Sequence, residues 1–331
     1  MESMLIVGLG SIGRRHARVF RAAGIRNIAG ADLREDRRAQ AQREIGITDL
    51  GADYREMLKR QKFDAVLVTL PTAYHMAVAH AAAEAGCNLF IEKPVAAVSD
   101  GLDEVERLVA KRGLVAYTAY CYRFAPSAER MKEIVDSGRL GRILCARLKI
   151  STYLPDWHPW EDYRSFYMAR LDQGGGARLD ESHGIDLLRW MFGEVKSVYA
   201  LVDKVSDLEI EADDLATMIL RFKSGVVGEA HFDLLGRAAR VDAELIGANG
   251  TLLWDRISGK IEVYDAATKK WDVEDFGRDS FVTCYDRQAA HFIECVRARS
   301  TPRITLADGR KTLDLLTAAL ESSKSGRVVE L

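Results

Sequence analysis

The sequence predicts an α/β chain in two parts. The first is a doubly wound parallel sheet, and the second is an α+β domain with a large, mostly antiparallel, open-faced sheet. Three observations carry this. Over the first third, short continuous apolar strands alternate with helical stretches, as a parallel sheet covered on both faces requires. Beyond about Ala119 the strands instead alternate apolar and polar residues, with hairpin-type turns between them. At 331 residues the chain is about twice the usual domain length, so a division into 1–120 and 121–331 is expected.

In order, Leu5-Ile6-Val7 is a strand running into glycines, and Ser11 to Ala23 has helical spacing, with Ile12, Val19 and Phe20 on one side. Asn27–Ala31 and Ala65–Thr69 are further strands, the latter followed by a helix from Tyr74 to Ala85. Asn88–Ile91, a helix from Ser99 to Arg112 and Leu114–Tyr117 complete the first part. A helix over Ala125 to Ser137 then leads into Arg142–Thr152, where Leu144, Ala146, Leu148 and Ile150 face one way and Arg147 and Lys149 the other. Strands are expected at Val198–Val205, Leu215–Phe222, Val226–Phe232, Val241–Ile246, Thr251–Trp254 and Ile261–Tyr264. Ser224-Gly225 and Asn249-Gly250 supply turns, and no proline interrupts the ladder between Pro159 and Pro302. Helices near Tyr285–Arg297 and Leu306–Ser323 close the chain.

Charge and cysteine content exclude several functions. Lys and Arg number 47 against 49 Asp and Glu, which lacks the basic excess of a nucleic-acid binder. The charge-free run Ala65–Ala83 contains Pro71, His75 and His80 and reads as strand, turn and helix, not a membrane span. Met1-Glu2-Ser3-Met4 enters a strand without a basic leader. Five cysteines, Cys87, Cys121, Cys145, Cys284 and Cys295, show no C-x-x-C spacing, so neither a metal site nor a disulfide framework is expected, and the setting is cytoplasmic.

Gly8-Leu9-Gly10-Ser11-Ile12-Gly13 is G-x-G-x-x-G between a strand and a helix, the Rossmann context for a dinucleotide pyrophosphate at a helix N-terminus. Asp32 follows Gly13 by 19 residues at the end of the second strand, where a carboxylate binds a ribose 2′-hydroxyl and repels a 2′-phosphate. This favours NAD, with NADP as the alternative should Arg34, Arg37 or Arg38 offset Asp32. Glu92-Lys93-Pro94 puts a lysine at the carboxyl edge of the sheet, where ligands bind; the bland alternative is an exposed lysine at a strand end. Asp180 and His183 follow the glycine run 174–176 and stand at i and i+3, sharing a face if the segment is helical. A carboxylate can orient an imidazole as a general base, whereas a capping Asp and a core His would serve structure alone.

With these residues in hand, the chain resembles the glucose–fructose oxidoreductase / inositol dehydrogenase / rhizopine-catabolism (Gfo/Idh/MocA) family over nearly its whole length. The likeness rests on the fingerprint, on Thr69-Leu70-Pro71-Thr72 with His75, on Glu92-Lys93-Pro94, and on the glycine run into Asp180 and His183. The resemblance implies that Lys93, Asp180 and His183 surround the nicotinamide and the substrate carbon. It also implies that Leu70, Pro71, His75 and Glu92 join Gly8, Gly10, Ser11, Ile12, Gly13 and Asp32 at the cofactor. Many members space the Asp and His by four residues; here the spacing is three, as in a D/E-x-S-H subgroup. Arg123, in Tyr120-Cys121-Tyr122-Arg123-Phe124, stands where relatives aim an Arg at the substrate. Trp157, His158 and Tyr163 lie in an aromatic and polar loop suited to a sugar ring or, equally, to packing on the domain junction.

The expected activity is hydride transfer between NAD(P) and a secondary hydroxyl or ketone of a sugar, polyol or sugar derivative. Two alternatives stand beside it. One is a nucleotide-sugar dehydrogenase or reductase of polysaccharide synthesis, with Arg123, Arg164 and Arg170 as diphosphate partners. The other is a non-catalytic NAD(P)-binding regulator, since a shared fold does not secure activity. Apolar residues on both faces of strands such as Val198–Val202 and Met218–Leu220 imply a homodimer or homotetramer through the C-terminal sheet.

Overall fold

The computed structural model describes residues 1–157, 159 and 161–331. The chain divides into two compact units. Met1–Tyr120 and Tyr285–Leu313 form one, and Cys121–Cys284 and Asp314–Leu331 form the other. Nothing in the local sequence pattern marks Tyr285–Leu313 as part of the first unit.

In the first unit, strands and helices alternate: β1 (Ser3–Val7), α1 (Ser11–Ala22), β2 (Asn27–Ala31), α2 (Glu35–Ile45), β3 (Leu50–Gly51), α3 (Tyr54–Arg60), β4 (Ala65–Val68), α4 (His75–Glu84), β5 (Asn88–Ile91), α5 (Leu102–Arg112) and β6 (Ala116–Thr118). The sheet order is β3-β2-β1-β4-β5-β6 and every pair is parallel. The direction of winding therefore reverses between β1 and β4, the crevice where such sheets bind dinucleotides. β4 has no exposed residue, and β1, β2 and β5 are buried except at their first residues, which explains their unbroken apolar runs. Helices α2 and α3, absent from the sequence reading, bury only Ala41, Ile45 and Met57, so their apolar stripes are too thin to see.

The second unit runs α6 (Pro126–Asp136), β7 (Ile143–Tyr153), α7 (Ala177–Asp180), α8 (His183–Phe192), β8 (Val195–Asp203), β9 (Leu215–Phe222), β10 (Val227–Asp233), β11 (Leu235–Gly247), β12 (Gly250–Asp255), β13 (Lys260–Asp265) and β14 (Lys270–Asp275). Two closing helices follow, α9 (Thr283–Ala298) and α10 (Leu306–Ser325), then β15 (Val329–Glu330). The nine-stranded order is β14-β13-β12-β11-β7-β10-β9-β8-β15, antiparallel except for β7 with β10. Edge strand β14 buries no residue, so no alternation marked it in the sequence.

One expected face assignment fails. Leu144 is 38% exposed, while Ala146, Leu148 and Ile150 are buried. Ile246 pairs with Cys145 and Gly247 with Ile143, so Leu144 is the extra residue of a bulge and loses its place on the core face.

Helix α8 lies so close to the sheet that a Cβ on Gly184 would come within 2.4 Å of Phe232 Cε1 and 2.7 Å of Leu148 Cδ2. Gly184→Ala therefore lowers stability by about 1–3 kcal/mol, the usual scale of overpacking. A fall in the urea midpoint with an unchanged m-value checks it.

Candidate active site

Four segments predicted to meet the cofactor leave the carboxyl ends of β1, β2, β4 and β5. The glycine turn depends on missing side chains. Gly8 has φ +101°, and a Cβ on Gly13 would lie 1.9 Å from the Gly8 carbonyl oxygen. Among the described residues, a Cβ on Gly10 would meet Arg37 Nη1 at 3.8 Å, an ordinary contact. Ser11 then begins α1 and is exposed, and Ile12 is half-buried. Thr69 Oγ1 donates to the carbonyls of Val7 (3.0 Å) and Gly8 (2.7 Å), pinning the loop after β4 to the turn.

Asp32 is buried, and its carboxylate accepts from the Leu9 N–H (2.8 Å) and the Arg34 N–H (2.9 Å). Each oxygen keeps further acceptor capacity for a ribose hydroxyl. Of the nearby arginines, Arg34 hydrogen-bonds Asp36 and holds that carboxyl at about 2, and Arg38 donates to the Asp32 and Leu33 carbonyls. Arg37 Nη1 stands 3.8 Å from Asp32 Oδ2. The open glycine turn, a helix N-terminus and this carboxylate fit a dinucleotide and favour the 2′-hydroxyl form.

The remaining cofactor candidates divide by exposure. Leu70 and Pro71 are half-buried. His75 is buried, with Nδ1 3.0 Å from the Pro94 carbonyl and Nε2 2.9 Å from the Leu70 carbonyl. Lys93 is half-buried, and a cis peptide bond joins it to Pro94. Glu92 turns inward: its Oε1 is 2.6 Å from His16 Nε2, and its Oε2 accepts from the Lys93 N–H at 3.1 Å.

In the second unit Asp180 and His183 do not share one helix. Asp180 ends α7 and His183 begins α8, with a turn at Glu181 and Ser182. Both side chains are buried. Tyr167 donates its hydroxyl to Asp180 Oδ1, and the His183 ring stacks on Tyr122 at 4.1 Å between centroids and 8° between planes. Arg256 lies 5.4 Å from the centroid of Tyr122 and 4.3 Å from that of Phe281. Burial, the largest influence, pushes the Tyr122 hydroxyl well above its usual pKa, so the ring stays neutral. The sequence reading named neither Tyr122 nor Tyr167 as a site residue; a tyrosine in the quoted 120–124 motif was the only available signal.

Arg123 is not laid out as the resemblance implied. Its guanidinium forks onto Asp186 (Nε to Oδ2 2.8 Å, Nη2 to Oδ1 2.6 Å), both side chains are buried, and it fastens the turn after Tyr120 to α8. Trp157 is half-buried, and the Tyr163 hydroxyl accepts from the Glu209 N–H at 3.3 Å. His158 lies outside the described residues. Among the described residues no cluster of His, Cys, Asp and Glu could hold a metal ion, and no helix is long and apolar enough to cross a membrane.

A strand-order reversal, a glycine turn and an acidic residue closing β2 define a dinucleotide-binding protein that favours NAD. The comparisons agree. The pattern of the oxidoreductase family with an NAD-binding Rossmann fold matches residues 3–120, and that of the GFO/IDH/MocA C-terminal domain matches 128–253. The chain belongs to the Gfo/Idh/MocA family of NAD(P)-dependent oxidoreductases. Among its relatives, scyllo-inositol 2-dehydrogenase (NAD+) of Bacillus subtilis is 26% identical, covering 98% of this chain and 95% of that one. Myo-inositol 2-dehydrogenase of Thermotoga maritima is 28% identical, covering 98% and 97%. A levoglucosan dehydrogenase solved with NADH and levoglucosan shares the fold at a TM-score of 0.88 and 21% identity, covering 99% and 98%.

Burial works against the Glu92 charge, but the His16 hydrogen bond and the Lys93 charge and amide outweigh it, so the pKa lies below its ordinary 4.5. A carboxylate depressed in the folded state contributes stability that is full above its unfolded pKa and is lost as pH falls through the folded one. The stability gap between wild type and Glu92→Gln is therefore flat above about pH 5.5. It shrinks as pH falls below about 4.5. Urea unfolding of both proteins at pH 7 and pH 4 measures it.

Proposed function

We propose that the protein is a dehydrogenase of a sugar, polyol or sugar derivative, oxidising a secondary hydroxyl to a ketone or running the reverse reduction. The observation that carries this is that Asp180 and His183 are both buried in a chain that also presents Lys93 at the carboxyl edge of its NAD-binding sheet. Inositol and sugar dehydrogenases among the relatives support the substrate class.

Bound NAD supplies the hydride acceptor. His183 takes the hydroxyl proton, and Asp180 stabilises the imidazolium that results. Tyr167 holds the Asp180 carboxylate, and the Tyr122 face limits the His183 ring to one plane. Lys93 hydrogen-bonds the reacting oxygen and stabilises the developing alkoxide, or polarises the ketone in reverse. Trp157 and Tyr163 contribute the aromatic surface for the ring.

A nucleotide-sugar substrate is less well supported, because the arginines a diphosphate needs have carboxylate partners. Arg164 is held by Asp162 and Glu209, Arg170 by Asp172, and Arg123 by Asp186. A non-catalytic regulator would have no use for Lys93, Asp180 and His183 together. Cysteine content supports a cytoplasmic setting: the five show no C-x-x-C spacing, and burial raises Cys87 to about 11.

A screen of inositols, sugars, polyols and nucleotide sugars, followed by NADH absorbance, tests the substrate class. With the substrate so found, Lys93→Met and His183→Ala lower kcat by about 10²-fold or more while the NAD dissociation constant changes far less. Wild-type turnover in both variants would refute the assignment.

We also propose that the chain is a homodimer or homotetramer through the outer face of the nine-stranded sheet. Val198, Ala200, Met218 and Leu220 are buried on one face, whereas Tyr199, Leu201 and Ile219 are 50%, 52% and 47% exposed on the other, with Tyr199 opposite Ile219. An apolar surface of this kind favours a two-fold contact. Light scattering behind a sizing column should give a multiple of 36.9 kDa.

A further inference from the structure

We infer that His16 and His75 are positioning residues for Lys93, two buried rings that fix the main chain on either side of the lysine. The inference rests on the reading of Lys93 as the group that contacts the substrate oxygen. Lys93 stands two residues beyond the end of β5, so the ladder between strands no longer sets its direction.

On the N-terminal side, the Glu92 carboxylate is shared between His16 Nε2 (2.6 Å) and the Lys93 N–H (3.1 Å). The lysine's own peptide is thereby tied to α1, the helix that opens the dinucleotide turn. His16 is fully buried among the rings of Phe20, Phe90 and Tyr285, with centroids at 6.3, 5.0 and 6.1 Å. Among the described residues its Nδ1 has no hydrogen-bond partner, so the polar capacity of the ring goes to Glu92. On the C-terminal side, His75 from α4 spans the Pro94 and Leu70 carbonyls at 3.0 and 2.9 Å. A neutral ring donates to one of these carbonyls and a protonated ring to both.

An apolar residue would fill the His16 position among three aromatic rings without desolvating an imidazole and a carboxylate. Burying such a pair is weak evidence for stability, which directs attention to what the pair holds in place. A reacting group displaced by about 1 Å can cost about 10²-fold in rate.

The test is a double-mutant cycle at saturating NAD and substrate: His16→Leu and His75→Leu, each with Lys93 intact and with Lys93→Met. With Lys93 intact, each Leu variant should lower kcat about tenfold or more, and for His16→Leu the NAD dissociation constant stays within about threefold; in the Lys93→Met background each should add less than about twofold. His16→Gln, which keeps an N–H donor for Glu92, should recover most of the loss. Equal losses in both backgrounds, or none in either, overturn the inference. Lys93→Met at wild-type turnover overturns instead the reading beneath it. Should a Leu variant fail to fold, His16→Met and His75→Met enter the same cycle, and a loss that persists undiminished without Lys93 again counts against the inference.

Discussion

Helix α1 starts where it does because residue 13 has no side chain. Any Cβ there would overlap the Gly8 carbonyl oxygen at 1.9 Å and crowd Thr69 Oγ1 at 2.9 Å. That close approach lets the turn after β1 fold back on itself, and the Leu9 N–H then reaches Asp32. One helical turn further on, His16 meets Glu92, and another turn brings Phe20 against Phe90 at 5.6 Å. The same helix thus offers its N-terminus to an anion and its buried face to the strand that leads to Lys93. Cofactor turn and lysine edge share one scaffold, and a shift of α1 would move both.

Much of the first unit was legible because a parallel sheet writes itself into sequence as runs of apolar residues. The fingerprint, the acid closing β2 and the Glu92-Lys93-Pro94 edge each have a local signature. Helices α2 and α3 and strand β14 did not, since a mostly exposed element leaves no periodic record. Long-range partners were invisible for a different reason. Arg123 looked available beside the last strand of its sheet, but Asp186 lies 63 residues away and claims the guanidinium. Tyr122 stacking on His183 and Tyr167 bonding Asp180 are likewise products of folding that no spacing rule encodes. The i, i+3 relation of Asp180 and His183 presumed a continuous helix, and the turn at Glu181 and Ser182 breaks it.

The nine-stranded sheet shows how one pattern can carry two demands. Its core face takes residues such as Ala146, Leu148, Ile150, Met218, Leu220 and Phe232. At its middle the opposite face is charged: Arg147 on β7 reaches Glu229 and Glu244 on the strands to either side. Exposed pairs of this kind add little stability, but they set which residues stand opposite one another. Apolar side chains concentrate toward the β8 and β9 end, with Trp271 and Val273 at the far edge.

Helix α9 from Tyr285 onward belongs to the first unit although about half the chain separates it in sequence from Tyr120. Phe292 is fully buried, packing at 6.2 Å on Phe20 and 5.4 Å on Phe90, and Gln288 receives the Tyr117 hydroxyl. During synthesis the ribosome releases the first six strands long before it releases this helix. At roughly 5–20 residues per second, the delay is on the order of ten to thirty seconds. Through that interval one aromatic layer of the nucleotide-binding sheet faces water, and the nascent chain must be shielded or must wait. A fragment ending at Tyr120 would carry the same exposed layer permanently.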